Sequence, residues 1–285
     1  MLKKVLVTGA RGQLGSDFCK LLEKHSYLVT PTDVGELDIT SLAAVKEAVC
    51  GAGFFAVINC AAYNEVDRAE SEEQAALCLN ALGPRNLALA CEEAGVALMH
   101  FSTDFVFDGN KGAPYTIADR PAPLSAYGRS KLLGEDFCRQ FCRRLYLVRL
   151  SWVFGAAGKV NFPRKVLSWA SARPIIRVVD DQISRPAYTA DLVPVLMKLL
   201  ESGAFGLYHL ANEGVCSRYQ WAGHVVASAG LKTEVQPART GDFSEAARRP
   251  PYSALDLYPL NEMFGSLPPW QEATDRFLVE IGVRS

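Results

Sequence analysis

A doubly wound α/β fold is the class that this sequence of 285 residues predicts. Short apolar runs alternate with amphipathic helical patterns through the first half of the chain, and a glycine-rich turn follows the first run. This alternation favours a parallel sheet, and strands that are apolar along almost their whole length indicate that helices cover both faces. We therefore expect a Rossmann-like sheet with a smaller, mixed region toward the C-terminus.

The individual elements follow from the spacing of the apolar residues. Strands are expected at residues 3–8, 27–30, 54–60, 97–102, 145–151 and 175–179. Amphipathic helices are expected near residues 14–22, 42–49, 72–94 and 125–143. Pro84 lies inside the third helical pattern, where it removes a backbone donor, so we expect a kink or a break there. Beyond about residue 181 the alternation weakens, which indicates an irregular, partly helical cap over one end of the sheet.

The composition excludes several classes of function. The formal net charge is −1, which provides no electrostatic basis for binding nucleic acid or an anionic membrane. No apolar run is long enough for a membrane-spanning helix or for the core of a signal peptide. The eight cysteines form no CxxC pair and the four histidines are far apart, so no zinc site is expected. We expect reduced thiols in a cytoplasmic protein.

A turn with the spacing GxxGxxG follows the first strand, at Gly9, Gly12 and Gly15. Glycine permits a tight turn and a close approach of a pyrophosphate, and the free N–H groups of the following helix bind anions. A plain glycine turn is the alternative, but the position between a strand and a helix favours dinucleotide binding. We therefore assign residues 1–150 to a dinucleotide-binding domain. Residues 151–285 are assigned to a smaller substrate-binding region, with part of the chain returning to the main sheet.

Asp33, near the end of the second expected strand, is placed to meet the adenosine ribose. This carboxylate favours NAD, whereas Arg11, close to the same corner, could hold the 2′-phosphate of NADP. Both NADH and NADPH stay open as cofactors. Asp38 and Ile39, a little further along, could flank the adenine.

Tyr127 and Lys131 form a YxxxK pair whose spacing places both side chains on one helical face. An ammonium next to a phenol lowers the pKa of the phenol, which makes tyrosine a usable general acid. Ser102, Thr103 and Asp104 follow an expected strand at the sheet edge where ligands bind in such folds. A hydroxyl of Ser102 or Thr103 could hydrogen-bond the substrate oxygen beside the phenol.

The glycine turn and the YxxxK pair belong to a larger set of segments, of which the middle ones are more specific than the glycines. The whole set lies at residues 9–15, 59–70, 102–109, 127–131, 149–155, 181–182, 249–250 and 253–256. Together these segments resemble the dTDP-4-dehydrorhamnose reductase family of extended short-chain dehydrogenases. The resemblance runs from Val5 to about Asp256.

The resemblance implies hydride transfer from NADPH or NADH to the C4 ketone of dTDP-4-dehydro-β-L-rhamnose, a nucleotide sugar, giving dTDP-β-L-rhamnose. Tyr127 would protonate the forming alkoxide, and Lys131 would tune Tyr127 and bind the ribose. Thr103 and Asp104 would orient the sugar, and Trp152 would pack on it. The implied cofactor-binding positions, besides Tyr127 and Lys131, are Gly9, Gly12, Gln13, Leu14, Gly15, Asp33, Asp38, Ile39, Ala62, Tyr63 and Asn64.

Other residues keep two interpretations. Arg249, together with Arg248, could clamp the diphosphate of the substrate or could form a solvated basic pair. Some members of the family bind magnesium through glutamates near a dimer contact, where this chain has Asp17 and Asp191. We assign no metal ligand, and both Mg²⁺ and a homodimer stay open.

Two alternatives to this function remain. The chain could reduce another nucleotide-linked 4-keto-6-deoxy sugar, or it could be a non-catalytic NADP-binding regulatory subunit. The intact set of Tyr127, Lys131 and Thr103 favours an enzyme, because a pure binding protein has no use for a general acid.

Overall fold

The computed structural model describes residues 2–284. Its strands, in chain order, are β1 (Lys4–Thr8), β2 (Leu28–Thr32), β3 (Ala56–Asn59), β4 (Ala97–Thr103), β5 (Leu145–Leu150), β6 (Val153–Phe154), β7 (Ile175–Val179), β8 (Ile183–Ser184), β9 (Ala187–Tyr188), β10 (Gly206–Leu210), β11 (Cys216–Ser217) and β12 (Glu234–Ala238). Its α-helices are α1 (Gln13–Lys24), α2 (Leu42–Val49), α3 (Glu73–Leu77), α4 (Gly83–Ala94), α5 (Ala126–Phe141), α6 (Phe162–Ala172), α7 (Thr189–Ser202), α8 (Arg218–Ser228), α9 (Leu260–Phe264) and α10 (Trp270–Glu280).

The main sheet has six strands in the order β10-β5-β4-β3-β1-β2, and every neighbouring pair is parallel. The chain first adds β2 on one side of β1 and then adds β3 on the other. This reversal opens a crevice outside the carboxyl ends of β1 and β3, where ligands bind in doubly wound sheets. The predicted Rossmann-like parallel sheet is therefore confirmed.

Helices cover both faces of this sheet. On one face, α1 and α7 bury Phe18 and Leu196 in one apolar cluster. On the other face, α2, α4 and α5 bury Val45, Leu87 and Cys138 in a second cluster. Because both faces are covered, β3, β4 and β5 are buried along their whole length, as the continuous apolar runs predicted.

The C-terminal part contains three small two-stranded sheets, formed by β6 with β9, β7 with β12, and β8 with β11. The expected strand at residues 175–179 is present as β7, but it pairs with β12 and not with the main sheet. Phe154, Trp221 and Phe277 are fully buried in the core of this part. The chain also returns to the main sheet, where it supplies α7 and the edge strand β10, although the apolar pattern did not locate these two elements.

The break expected at Pro84 is confirmed. The helical segment is α-helical over Glu73–Leu77, forms a π-helical turn over Cys78–Leu82, and continues as α4 with Pro84 in its first turn. The π-helical turn therefore interrupts the regular α-helical hydrogen bonding just before Pro84, which has no N–H to donate.

All eight cysteines are free within the described residues, and four of them are buried. No helix between residues 2 and 284 combines the length and the apolar character that crossing a membrane requires.

Candidate active site

The glycine turn lies at the carboxyl end of β1, against the chain that leaves β3. Gly9 has φ +63°, and a Cβ built on it would lie 2.6 Å from the Ala61 nitrogen. A Cβ built on Gly15 would lie 2.3 Å from the Gly9 carbonyl oxygen, so α1 packs directly on the turn. Only glycine permits these two close approaches of backbone to backbone.

The first turn of α1 presents backbone donors toward the crevice. Gly12 is the N-cap and provides no side-chain acceptor. Among the described residues 2–284, the N–H groups of Gln13, Leu14 and Gly15 have no hydrogen-bond acceptor. The Gln13 side chain donates to the Val153 carbonyl oxygen at 3.1 Å. Free N–H groups at the positive end of a helix dipole are the features that hold a pyrophosphate.

Asp33 and Arg11 meet at the end of β2, beside the glycine turn. The Asp33 carboxylate accepts a hydrogen bond from the Arg11 backbone N–H at 3.3 Å. The Arg11 guanidinium forms an exposed ion pair with Glu36, a residue that sequence reasoning missed. Glu36 also accepts a hydrogen bond from the Asp33 N–H at 2.9 Å. Asp33, considered for NAD, and Arg11, considered for NADP, therefore lie at the same corner of the sheet. The Arg11 guanidinium is already paired with Glu36 there.

Asp38 and Ile39 follow on the same loop. Asp38 is exposed, and its carboxylate accepts a hydrogen bond from the Thr40 N–H at 2.9 Å. Ile39 is only 3 % exposed and packs against α4, where a Cβ on Gly83 would lie 2.6 Å from its Cδ1. The Ile39 side chain is thus part of the core because α4 approaches the loop closely, and its contact with the adenine stays a prediction.

Ala62, Tyr63 and Asn64 follow β3, just beyond the contact with the glycine turn. Asn80, in the π-helical turn, accepts a hydrogen bond from the Tyr63 N–H at 2.8 Å and donates to the Tyr63 carbonyl oxygen at 3.0 Å. Asn80 also donates to Ser130 Oγ at 3.0 Å, so it ties this loop to α5. Sequence reasoning missed Asn80, although the break in the helical pattern was an available signal.

Tyr127 and Lys131 lie one turn apart in α5, next to the carboxyl end of β4. Tyr127 is 8 % exposed and packs edge-to-face on Phe105, with ring centroids 5.8 Å apart. The Lys131 ammonium is buried and donates to the Phe101 carbonyl oxygen at 2.6 Å. Thr103 is the last residue of β4, and its hydroxyl is close enough to Tyr127 to influence the pKa of the phenol. The structure thus brings together the three residues that the sequence assigned to proton transfer.

Burial displaces the pKa values of both titratable groups. It raises the pKa of Tyr127 to about 12, while the Thr103 hydroxyl acts in the opposite direction. It lowers the pKa of Lys131 to about 8, and the Glu135 carboxylate opposes that shift. The net shift of the Tyr127 pKa is therefore upward and not downward as expected, because desolvation of the phenol outweighs the ammonium of Lys131, which donates to Phe101. A phenol with this pKa is protonated at neutral pH, as a general acid must be.

Asp104 is the first residue after β4 and is 2 % exposed. Its carboxylate accepts hydrogen bonds from Ser184 Oγ at 3.1 Å, from Thr103 Oγ1 at 3.2 Å and from Ser253 Oγ. Burial raises the pKa of Asp104 to about 6 against the effect of these hydrogen bonds. Ser184 and Ser253 belong to the C-terminal part of the chain, so Asp104 links that part to the end of the main sheet.

Trp152 follows β5 with φ +44°, a left-handed conformation that is uncommon for a bulky residue. Its ring stacks on Trp221, with centroids 5.8 Å apart and an interplanar angle of 4°. The guanidinium carbon of Arg218 lies 3.7 Å from the centroid of the Trp152 ring. Sequence reasoning missed Arg218, because a single arginine in an irregular region provides no pattern.

The family model described as the RmlD substrate binding domain matches residues 3–283. The chain belongs to this family. A relative from Mycobacterium tuberculosis, named dTDP-4-dehydrorhamnose reductase, is 39 % identical over 260 residues, which cover 89 % of this chain and 84 % of the relative. A relative from Streptomyces niveus, named dTDP-4-keto-6-deoxy-D-glucose reductase, is 34 % identical. The alignment covers 90 % of this chain and 89 % of the relative.

A solved structure shares the whole fold of this RmlD-family chain. It is the crystal structure of dTDP-4-dehydrorhamnose reductase from Bacillus anthracis in complex with NADP, with a TM-score of 0.95 and 37 % identity. The superposition covers 98 % of this chain and 100 % of that one. The architecture described above is therefore that of the RmlD family.

Arg249, assigned to substrate binding from the sequence, has two carboxylate partners in this RmlD-family chain. Its guanidinium pairs with Asp67 at 2.7 Å and with Glu245 at 2.9 Å. Asp67 also accepts a hydrogen bond from the Ala247 N–H at 3.1 Å. Arg249 is thus not half of a solvated basic pair, although its neighbour Arg248 is exposed. A role of Arg249 as a diphosphate clamp stays a prediction and would require these ion pairs to open.

Asp17 and Asp191 stand where the resemblance places the glutamates of magnesium-binding members. Asp17 accepts a hydrogen bond from Thr189 Oγ1 at 2.6 Å. Asp191 accepts one from Asn212 at 2.7 Å and pairs with Arg276 at 2.7 Å. Within residues 2–284, no cluster of three or more His, Cys, Asp or Glu side chains is arranged to hold a metal ion. Both carboxylates therefore accept hydrogen bonds from neighbouring side chains in this structure.

Proposed function

We propose that this chain is an NAD(P)H-dependent reductase that converts the C4 ketone of dTDP-4-dehydro-β-L-rhamnose to the alcohol. The observation that carries this proposal is the convergence of two groups at one edge of the main sheet. The free N–H groups of α1 lie there, and so do Tyr127, Lys131 and Thr103. Membership of the RmlD family and the relatives named as this reductase, at 37 % and 39 % identity, support it further.

The residues at the crevice fit a nicotinamide dinucleotide. The cradle at Gly9 and Gly15, which added Cβ atoms would fill, and the donors of the first turn of α1 would hold the pyrophosphate. Lys131 would bind the nicotinamide ribose, while Asp33 and Arg11 would meet the adenosine end. The reduced cofactor, when bound, supplies the hydride. NADPH is favoured, because the related Bacillus anthracis structure contains NADP and Arg11 offers a partner for a 2′-phosphate.

Tyr127 would complete the chemistry as general acid. Reduction of the ketone adds a hydride to C4 and a proton to the C4 oxygen, and Tyr127 would supply that proton. The raised pKa of Tyr127 keeps this proton available at neutral pH. The Thr103 hydroxyl, beside the phenol, would hydrogen-bond the same oxygen, and the Lys131 ammonium would offset the charge of the phenolate that remains.

We assign substrate binding to the C-terminal region, residues 151–285, together with Asp104 at the end of β4. Asp104 would orient the sugar hydroxyls, because Ser184 and Ser253 hold its carboxylate in place. Trp152 would pack on the sugar ring, as aromatic side chains do in ligand pockets. The homodimer that the resemblance leaves open stays a prediction.

A second candidate is the reduction of a different 4-keto-6-deoxy sugar. The relative from Streptomyces niveus, named dTDP-4-keto-6-deoxy-D-glucose reductase, favours this alternative. The proton transfer would be the same for both substrates. The two sugars would differ in the stereochemistry of the ring that they present to Trp152 and Asp104.

The test is an assay of purified protein with dTDP-4-dehydrorhamnose and either NADPH or NADH, monitored by loss of the reduced nicotinamide absorbance. We expect turnover with formation of dTDP-rhamnose, and a panel of dTDP-linked ketosugars separates the two candidates. A folded protein that binds NADPH but reduces no member of the panel would contradict the enzyme and favour a regulatory subunit.

A further inference from the structure

Arg218, the first residue of α8, is a half-buried arginine without an anionic partner. Among the described residues 2–284, its guanidinium has neither a hydrogen-bond acceptor nor an ion pair. The other arginines that lack an acceptor, within the same range, are all exposed to solvent: Arg120, Arg173, Arg239 and Arg248. The donors of this half-buried cation are unused by the protein, so a ligand that supplies acceptors would be stabilised there.

Aromatic faces hold the guanidinium in place. Its central carbon lies 3.7 Å from the Trp152 ring centroid, 4.6 Å from that of Phe162 and 5.7 Å from that of Trp221. Stacking engages the flat faces of a guanidinium and leaves its N–H groups free in the plane. The Trp152 backbone, with φ +44°, is in a strained conformation, which is characteristic of functional sites. The three rings therefore fix the plane of the Arg218 guanidinium and leave its N–H donors available to a ligand.

Arg218 also lies close to the candidate active site. In the β8–β11 pair, Ser184 is opposite Cys216, and Ser184 donates to Asp104. Arg218 follows β11 directly. The charges of Asp104 and Arg218 influence each other, although the two side chains form no ion pair within the described residues. Burial lowers the pKa of Arg218 to about 10, so the group is still a cation at neutral pH.

We propose that Arg218 binds the diphosphate of the nucleotide sugar edge-on, with Trp152 and Phe162 fixing the plane of the guanidinium. This inference rests on the proposed function. The proposed ketosugar carries its only negative charges on its two phosphates, so these are the groups that an unpaired arginine would recognise. Arg249, assigned this role from the sequence, is already paired with Asp67 and Glu245.

The test is a calorimetric measurement of thymidine, dTMP and dTDP binding to the wild-type protein, Arg218→Met and Arg218→Lys. Arg143→Met is the matched control, because the Arg143 side chain is 91 % exposed. Arg143 precedes β5 and so lies at the amino ends of the strands, away from the candidate active site. For Arg218→Met we expect the Kd of dTDP to rise roughly 10- to 100-fold, with the Kd of thymidine and of NADPH and the Tm unchanged. Arg218→Lys should also weaken dTDP binding, because lysine lacks the planar fork.

Two results would overturn the inference. One is dTDP binding by folded Arg218→Met within about twofold of the wild-type affinity. The other is an equal loss of thymidine and dTDP affinity, which would mean that Arg218 shapes the pocket and does not contact phosphate. If Arg218→Met does not fold, Arg218→Lys decides by the same comparison. Because these measurements need no turnover, a protein that binds dTDP through Arg218 but reduces no ketosugar would refute only the proposed function.

Discussion

Glu135 and Arg149 form a bidentate ion pair next to the candidate proton-transfer residues. Arg149 donates through Nε at 2.8 Å and through Nη2 at 2.7 Å, and Glu135 and Arg149 are 0 % and 1 % exposed. Glu135 follows Lys131 by one turn of α5, just as Lys131 follows Tyr127, so the three side chains share one helical face. The Glu135 carboxylate raises the pKa of Lys131 against the effect of burial. We regard Glu135 as a positioning residue that helps to keep Lys131 charged.

Replacing Glu135 with glutamine should destabilise the fold strongly. The change leaves the Arg149 cation buried without a counterion, and breaking such a pair costs roughly 3–5 kcal/mol. Denaturant unfolding monitored by circular dichroism measures the loss. Glu92→Gln, at the exposed Arg143–Glu92 pair, is the control and should leave the free energy of unfolding almost unchanged. Equal effects of the two variants would contradict the prediction.

Replacing Tyr127 with phenylalanine should abolish most turnover but preserve cofactor binding. The phenol is the proposed proton donor, and a positioned general acid contributes roughly 10²–10⁴-fold to a rate. Kinetics with dTDP-4-dehydrorhamnose and NADPH titration measure the two effects. We expect kcat to fall by that factor while the Kd of NADPH stays within about threefold of wild type. A variant that retains a tenth or more of the wild-type kcat would assign proton donation to another group.

Replacing Asp104 with asparagine should change how stability depends on pH. The carboxyl of Asp104 has a pKa near 4 when unfolded and about 6 when folded, so the folded state holds more protons between these values. The contribution of this group to the free energy of unfolding is therefore fully present below about pH 4. This contribution, about 3 kcal/mol, is lost as the pH rises to about 6. Asp104→Asn should remove this decline. Unfolding curves measured from pH 4 to 7 check it, and an identical slope in both proteins would contradict it.

Replacing Gly15 with alanine should impair cofactor binding. The added Cβ would lie 2.3 Å from the Gly9 carbonyl oxygen, so either α1 or the turn must move, and the free N–H groups move with it. We expect the Kd of NADPH to rise at least about tenfold, with a loss of roughly 1–3 kcal/mol in stability from overpacking. Gly223→Ala, in α8, is the control, since a Cβ there meets no atom within 4 Å. NADPH binding by Gly15→Ala at wild-type affinity would exclude this turn as the cofactor site.

Replacing Glu36 with glutamine should shift cofactor preference toward NADPH. The carboxylate of Glu36 now pairs with Arg11, and its removal frees the guanidinium for a 2′-phosphate. We expect NADPH to bind several-fold tighter and NADH to bind unchanged, whereas Arg11→Ala should weaken NADPH binding roughly tenfold. The surface pair of Lys46 and Glu93 supplies the control variant Glu93→Gln. If both cofactors respond equally to Arg11→Ala, Arg11 does not contact the 2′-phosphate.

The parts of the fold that the sequence predicted depend on local patterns. The first five strands of the main sheet are apolar runs, the glycine spacing marks the turn after β1, and Pro84 marks the break before α4. The pairing of Tyr127 with Lys131 followed from helical periodicity alone. Each of these features is encoded by residues that are neighbours in the chain.

The residues that sequence reasoning missed act through contacts distant in the chain. Asn80 binds Tyr63 and Ser130, and Arg218 stacks on Trp152. The edge strand β10 joins β5 although many residues separate them. None of these contacts leaves a periodic or spaced pattern in the sequence, so no local argument predicts them.

The sequence by itself determined the parallel sheet, the glycine turn and the tyrosine–lysine pair, because hydrophobic periodicity, glycine spacing and helical pitch are local properties of the chain. The tertiary structure alone decided the charge state and the free donors at the site. At Tyr127, the effect of burial on the pKa of the phenol outweighs that of the neighbouring ammonium. Arg249 is paired with two carboxylates. Arg218 is surrounded by three aromatic rings and has no anionic partner among the residues described. Desolvation and ion pairing depend on which groups folding brings together, and that information is not present in the spacing of residues along the chain.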